Sequence, residues 1–269
     1  MAWQRSHKHC GSWQQLSLLV LFFAFSLVLV SSFVQAQPTR ITVHVKAKGS
    51  KFIGSSMGGA RVVIREAMSG KILAQGKTEG GTGDTERIMK TALRSTQPLS
   101  TEETASYDAT IDLDDPTLVE VEAFGPLSQL QSALSASATK WVIPGKDITG
   151  GDAFLLVLHG MVVDILAPAA ASDFQSGSPV NIEANILMSC GCPLAPGGLW
   201  DSEALEIRAV ISKGGKQAAE IELGYAGRLS RFQGQARLKE TGSYEVLVYA
   251  YDPRNGNTGL DRATFTLAK

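Results

Sequence analysis

Apolar and polar positions alternate with a period of two along most of this chain, and the spacing of an amphipathic helix hardly occurs. That pattern predicts half-buried strands. Ile41, Val43 and Val45 alternate with Arg40, Thr42, His44 and Lys46, giving a strand with one wet face that carries His44. Residues 60–66 and 71–77 predict two further strands around the turn Met68-Ser69-Gly70. Tyr107, Ala109, Ile111 and Leu113 alternate again, and Asp114-Asp115-Pro116 turns the chain into a strand over 118–124. Between these pairs, residues 78–106 are rich in Thr, Ser and Glu and are expected to form a long loop with one short helix around 87–93. Residues 128–139 are small and polar, and an extended apolar run resumes at 141–143.

The second half repeats the pattern more regularly. Residues 161–168 open it, 173–177 are expected as a loop, and Val180, Ile182, Ala184, Ile186 and Met188 then alternate with polar residues. Strands are expected over 205–211, 217–223, 232–238, 244–250 and 263–267, with Gly214-Gly215 as one of the turns. Seven short strands with turn signals between them are the mark of a sandwich. The fold class is therefore all-β, with two tandem β-sandwich domains over 38–158 and 159–269.

Two stretches resemble known families. GARVVIREAMSGKILAQGKTEGG at 59–81 and YDATIDLDDPTLVEVEAFGP at 107–126 resemble the carboxypeptidase-regulatory, transthyretin-like sandwich, with the insertion 82–106 departing from its compact pattern. That resemblance implies an accessory or binding module. GSYEVLVYAYDPRNGNTGLDRATFTL at 242–267 resembles the last two strands of bacterial immunoglobulin-like domains, through Ala250, Asp252, Gly256 and Asn257. This half has no cysteine on each sheet, so the pin of antibody-type domains is missing.

The first 36 residues read as a secretory signal peptide. Arg5 and Lys8 precede an apolar run at 16–30, and small residues follow at Val34-Gln35-Ala36. Fifteen residues are short for a membrane span, which needs roughly 20. Cys10 precedes the apolar run and leaves with the leader. The mature chain is thus expected to be exported, periplasmic or extracellular, without a membrane span, in a compartment where cysteines pair.

Charge narrows the classes of partner. Removing Arg5 and Lys8 takes 25 basic residues to 23, against 26 acidic ones, for a net charge of −3. A broadly basic nucleic-acid binder is excluded. A protein or glycan partner suits paired sandwiches better.

The chemistry concentrates in LMSCGCPLAPGGLWD, which holds the only two cysteines of the mature chain, Cys190 and Cys192. A C-x-C pair can close a local disulfide that ties a Gly/Pro-rich loop. It can also chelate copper as Cu(I) with a thioether or imidazole, act in redox exchange, or bridge to another protein. Antiparallel pairing of the first two strands of the second sandwich would bring His159-Gly160-Met161 near Met188 to Cys192. Met188 and His159 are therefore the added candidate ligands, although a core methionine and a turn histidine are the plainer assignments.

The other candidates favour structure over chemistry. No Gly-x-Ser-x-Gly run supports a hydrolase, so no catalytic residue is assigned. Asp112, Asp114 and Asp115 fit a hairpin turn, and Asp252, Asn255 and Asn257 fit turn chemistry better than calcium ligation. EGGTGD lacks the Gly-Lys-Ser/Thr ending of a phosphate loop. Trp200, Tyr244, Tyr249 and Tyr251 could form a ligand platform, but Tyr244 lies on the opposite strand face from the other two tyrosines. The leading expectation is a non-enzymatic binding or structural module of the cell envelope or exterior. The alternative is a periplasmic copper-handling or thiol-redox protein working through Cys190 and Cys192.

Overall fold

A computed structural model describes residues 36–269. The signal-peptide expectation falls, but for its last residue, outside them. Among the described residues no helix is long and apolar enough to cross a membrane.

The first half builds two sheets. β1 (Gln37–Ala47) is the centre of a three-stranded sheet, antiparallel to β4 (Tyr107–Leu113) and parallel to β7 (Phe154–Leu158). The second sheet is antiparallel in the order β3-β2-β5-β6, from β2 (Arg61–Glu66), β3 (Ile72–Lys77), β5 (Thr117–Gly125) and β6 (Leu134–Val142). The alternating residues Ile41, Val43, Val45, Val62, Ile64, Val119 and Val121 are fully buried between them. Burial of one face per strand is what fixes each register, because a one-residue slip would turn this set outward.

The second half is a larger sandwich. One sheet has the order β13-β14-β10-β8, from β8 (Met161–Ala167), β10 (Pro179–Met188), β13 (Gly224–Tyr225) and β14 (Arg231–Arg237). The other has the order β12-β11-β15-β16-β9, from β9 (Ser172–Gln175), β11 (Glu206–Lys213), β12 (Lys216–Glu222), β15 (Gly242–Tyr251) and β16 (Thr258–Ala268). Strands up to Leu158 pair only within the first two sheets, and strands from Met161 on only within the other two. Residues Gln37–Lys269 nevertheless form one compact unit, with one continuous cluster of buried side chains running through both sandwiches.

Several elements differ from expectation. The short helix α1 (Thr85–Met89) begins earlier than 87, because the Asp84 carboxylate accepts the Arg87 backbone N–H at 2.6 Å and caps it there. Residues 173–177 are not wholly loop, since β9 adds to the sheet edge parallel to β16. The small, polar stretch before Trp141 is strand β6, held by nine residue pairs with β5.

His44 is the main correction. It is 6% exposed rather than on a wet face. The 78–106 loop folds over it, so that His44 Nδ1–H donates to Ala105 O at 2.8 Å and the ring meets Phe52 edge-on at 5.5 Å. Asp152 secures the same loop by accepting the backbone N–H groups of Leu99 and Ser100 at 2.9 and 2.8 Å. Burial by itself would raise the Asp152 pKa. The two backbone N–H groups, a side-chain bond from Ser100 and the facing His44 outweigh it and hold the carboxyl below its ordinary value.

Candidate functional site

The cysteine loop lies where the two sandwiches meet. β10 ends at Met188, and the chain folds back at once: Gly191 N–H donates to Met188 O at 2.7 Å, and Met188 N–H to Cys192 O at 3.1 Å. Gly191 makes this reversal feasible at φ +82°, a left-handed conformation that side chains rarely adopt. Cys190 and Cys192 are 1% and 6% exposed and disulfide-bonded to each other, with Cα atoms 5.5 Å apart. A Cβ on Gly191 would stand 2.9 Å from Met57 Sδ, so a methionine of the first sandwich packs directly on the loop.

Three consecutive residues after β1 carry the polar half of this seam. Lys48 O accepts from Asn257 Nδ2 at 2.9 Å, and Gly49 O accepts from Trp200 Nε1 at 3.2 Å. The fully buried Ser50 hydroxyl lies 2.9 Å from Cys190 Sγ, and because a disulfide sulfur has no proton the hydroxyl is the donor. Two loops of the second sandwich, β10–β11 through Cys190 and Trp200 and β15–β16 through Asn257, thus fasten one turn of the first. Asn257 is completely buried, and its Oδ1 is the buried side-chain atom left without a hydrogen-bond partner among the described residues.

The antiparallel pairing expected from sequence is present, with Met161 opposite Met188 across β8 and β10, and both are buried at 1% and 6% exposure. His159, in contrast, is exposed in the turn between β7 and β8. Ser189, next to the cysteines, donates to Gly160 O at 2.9 Å and ties that turn to the loop. Met57 and Ser50 went unrecognised in the sequence. The one local signal was the glycine at Gly49, which marks a turn without saying what it touches.

A cleft of about 190 Å³ opens beside the seam, lined by Gly49, Met188, Leu194, Trp200, Asp252 and Arg254 among others. Both of its carboxylates are already engaged: Asp201 accepts the backbone N–H groups of Gly197 and Glu203 at 2.9 and 3.0 Å. Asp252 accepts from Arg254 Nε and Nη2 at 2.9 Å each, from Arg254 N–H at 3.0 Å and from Asn255 Nδ2 at 2.8 Å. The Arg254 side-chain bond, acting against burial, holds the Asp252 carboxyl below its ordinary value. Asp252, Asn255 and Asn257 therefore work as turn and seam residues.

The aromatic candidates separate by strand face. Tyr244 is core, stacked on Phe265 at 5.5 Å, while Tyr249 and Tyr251 are half-buried on the other side of β15. The most exposed aromatic is elsewhere: Trp141 on β6 is 66% exposed and pairs with Leu118 of β5, while Met68 in the β2–β3 turn is 83% exposed.

No family model matches the chain, and no curated protein sequence matches it. Among solved structures it is similar to an engineered protein, at 16% identity over 44% of this chain and 22% of that one, with a TM-score of 0.31. The chain spans only that share of the engineered protein's length. It is also similar to fibronectin(III)-like modules of Clostridium thermocellum CbhA, at 13% identity over 86% of this chain and 93% of that one, with a TM-score of 0.28. A third is the titin domains Z1Z2 in complex with telethonin, at 13% identity over 87% and 95% of the two chains, with a TM-score of 0.26. The β-sandwich assignment rests on the strand pairing itself.

Proposed function

We propose that the protein is an exported, non-enzymatic binding or structural module, in which a transthyretin-like sandwich over 38–158 and an immunoglobulin-like sandwich over 159–269 act as one rigid bar. The observation that carries this reading is the seam. Cys190, Trp200 and Asn257 are engaged in fastening one sandwich to the other, and Asp252 is taken up by its own turn. What remains for a partner is outer surface, where Trp141 stands exposed on the β3-β2-β5-β6 sheet beside its pair Leu118, with exposed Met68 in the β2–β3 turn. The leader-like pattern and the disulfide both suit an oxidising compartment outside the cytoplasm. The partner is a protein or glycan that covers Trp141. A photo-crosslinking residue in place of Thr139, two positions away on the same face of β6, tests this in producing cells. Adduct that disappears on Trp141→Ala and persists in Cys190→Ser/Cys192→Ser supports the reading, and absence of any adduct overturns it.

One observation favours a second reading. Met57 packs on the cysteine loop, and Met188, two residues before Cys190, is paired with Met161, so three methionines belong to this end of the sandwich. Reduced by a dithiol, Cys190 and Cys192 would offer two thiolates to Cu(I) with Met188 as a third ligand. Exposed His159 would have to turn inward to join them. Stoichiometric Cu(I) binding by the reduced protein, lost in Cys190→Ser/Cys192→Ser, supports this alternative, and no copper uptake above that of the double variant dismisses it.

A further inference from the structure

The end of the second sandwich remote from the seam carries a cleft of about 410 Å³, between the β11–β12 hairpin and the β14–β15 connection. Its charged and aromatic lining is Lys213, Lys216, Arg237, Lys239, Glu240 and Tyr244, four cations against one carboxylate. That carboxylate is already paired, since Lys213 Nζ lies 2.8 Å from Glu240 Oε2. Lys216, Arg237 and Lys239 make no ion pair among the described residues.

One contact in the cluster is between like charges. Lys213 and Lys216 are directly opposed across the hairpin, and like charges in that position repel. The chain around them is net acidic, so the cluster is not a sample of a generally basic surface. Neither is it a set of loose loop side chains. Lys213 ends β11, Lys216 begins β12 and Arg237 ends β14, while the floor is made by Leu238 and Tyr244, which are 5% and 3% exposed. Strand ends fix the backbones of three of the four cations, Lys239 following in the β14–β15 connection, and a concave site with low-dielectric walls concentrates their field.

We propose that this cleft binds an oxyanion, the phosphate or sulfate group of a polar ligand. Lys216, Arg237 and Lys239 supply the charge-assisted hydrogen bonds, and Arg237 provides the planar fork suited to two oxygens of one group. The site is separate from the Trp141 surface and does not depend on it.

The test is a titration of the purified protein with inorganic pyrophosphate, followed by backbone amide NMR at low salt. The expected result is saturable shifts confined to 213–217 and 237–240. Lys216→Ala and Lys239→Ala should each weaken binding roughly tenfold, the loss expected for one charge-assisted bond. Both side chains are exposed, so melting temperature should not move, and binding should fade at high salt as screening shortens the reach of the charges. A second arm uses vesicles containing anionic phospholipid. Co-sedimentation lost in the same two variants places the oxyanion on a lipid headgroup; pyrophosphate binding without co-sedimentation places it on a soluble ligand. No saturable shift with pyrophosphate, or equal affinity in the Lys216→Ala/Lys239→Ala double variant, overturns the proposal.

Discussion

Gly259→Ala should be among the most damaging single-methyl additions in the molecule. Gly259 lies in β16 opposite Ala250, with an ordinary strand backbone, so alanine brings no conformational penalty there. The obstacle is β8. A Cβ at this position would stand 2.2 Å from Met161 O and 2.8 Å from Met161 C, where ordinary contact begins at 3.4 Å. About 1 Å must be found by moving one backbone away from the other, and close-packed interiors resist such movement. Met161 is paired with Met188, whose N–H holds Cys192 O, so the displacement passes straight into the seam. Overpacking against backbone belongs at the upper end of its usual cost, about 2–3 kcal/mol. In a domain of this size that corresponds to a melting temperature lower by about 4–12 °C. The assay is urea and thermal unfolding followed by tryptophan fluorescence. Gly224→Ala is the control, because Gly224 is also in a strand and a Cβ there meets nothing within 4 Å. That variant should be neutral or more stable by about 0.5 kcal/mol. If the two variants unfold within about 0.5 kcal/mol of each other, the close approach of β16 to β8 is refuted.

Other expectations concern the seam and the loop over His44. Cys190→Ser/Cys192→Ser should lose about 2 kcal/mol, near the low end for a disulfide because the closed loop is so short, without loss of partner crosslinking. Trp200→Phe removes the indole N–H from Gly49 O and should cost about 1 kcal/mol in urea unfolding, with no change in secondary structure by circular dichroism. For Asp152 the folded pKa lies below the unfolded one. Its stabilising contribution is therefore fully present above the unfolded pKa of about 3.9 and is lost as pH falls through the folded value. Asp152→Asn should accordingly be less stable at neutral pH and should show a shallower acid-side loss. Urea midpoints measured between neutral and strongly acid pH will read both, and a variant curve parallel to the parent's removes Asp152 from that account.

The strands that could be read from sequence are those with one dry and one wet face. β1, β5, β10 and β15 alternate cleanly, and an assumed antiparallel pairing of the second sandwich's first two strands brings Met161 near Met188; the exact register, Met161 opposite Met188, comes from the structure. β7 was not legible because FLLVL is a short continuous apolar run, which does not distinguish strand from buried helix. β9 is four residues on a sheet edge, two exposed and two half-buried, and nothing in SDFQ demands pairing. His44 shows the limit of alternation most plainly. Period two says which way a side chain points from its strand, but not that a loop some sixty residues later will cover that face. The seam has the same character: Cys190 stood out as half of a pair, whereas its partner Ser50, 140 positions away, is an ordinary serine until the sandwiches meet.

The most direct measurement of the seam's structural role is the intact mass of mature protein taken from its native compartment, under non-denaturing and then denaturing, non-reducing conditions, with thiol alkylation. A closed Cys190–Cys192 bridge, buried and hydrogen-bonded by Ser50, predicts a mass two hydrogens below the reduced chain, no alkylation even when unfolded, and no bound metal. Two alkylatable thiols, or a copper ion released on alkylation, would contradict it and turn the cysteine loop from a fastening into a reactive site.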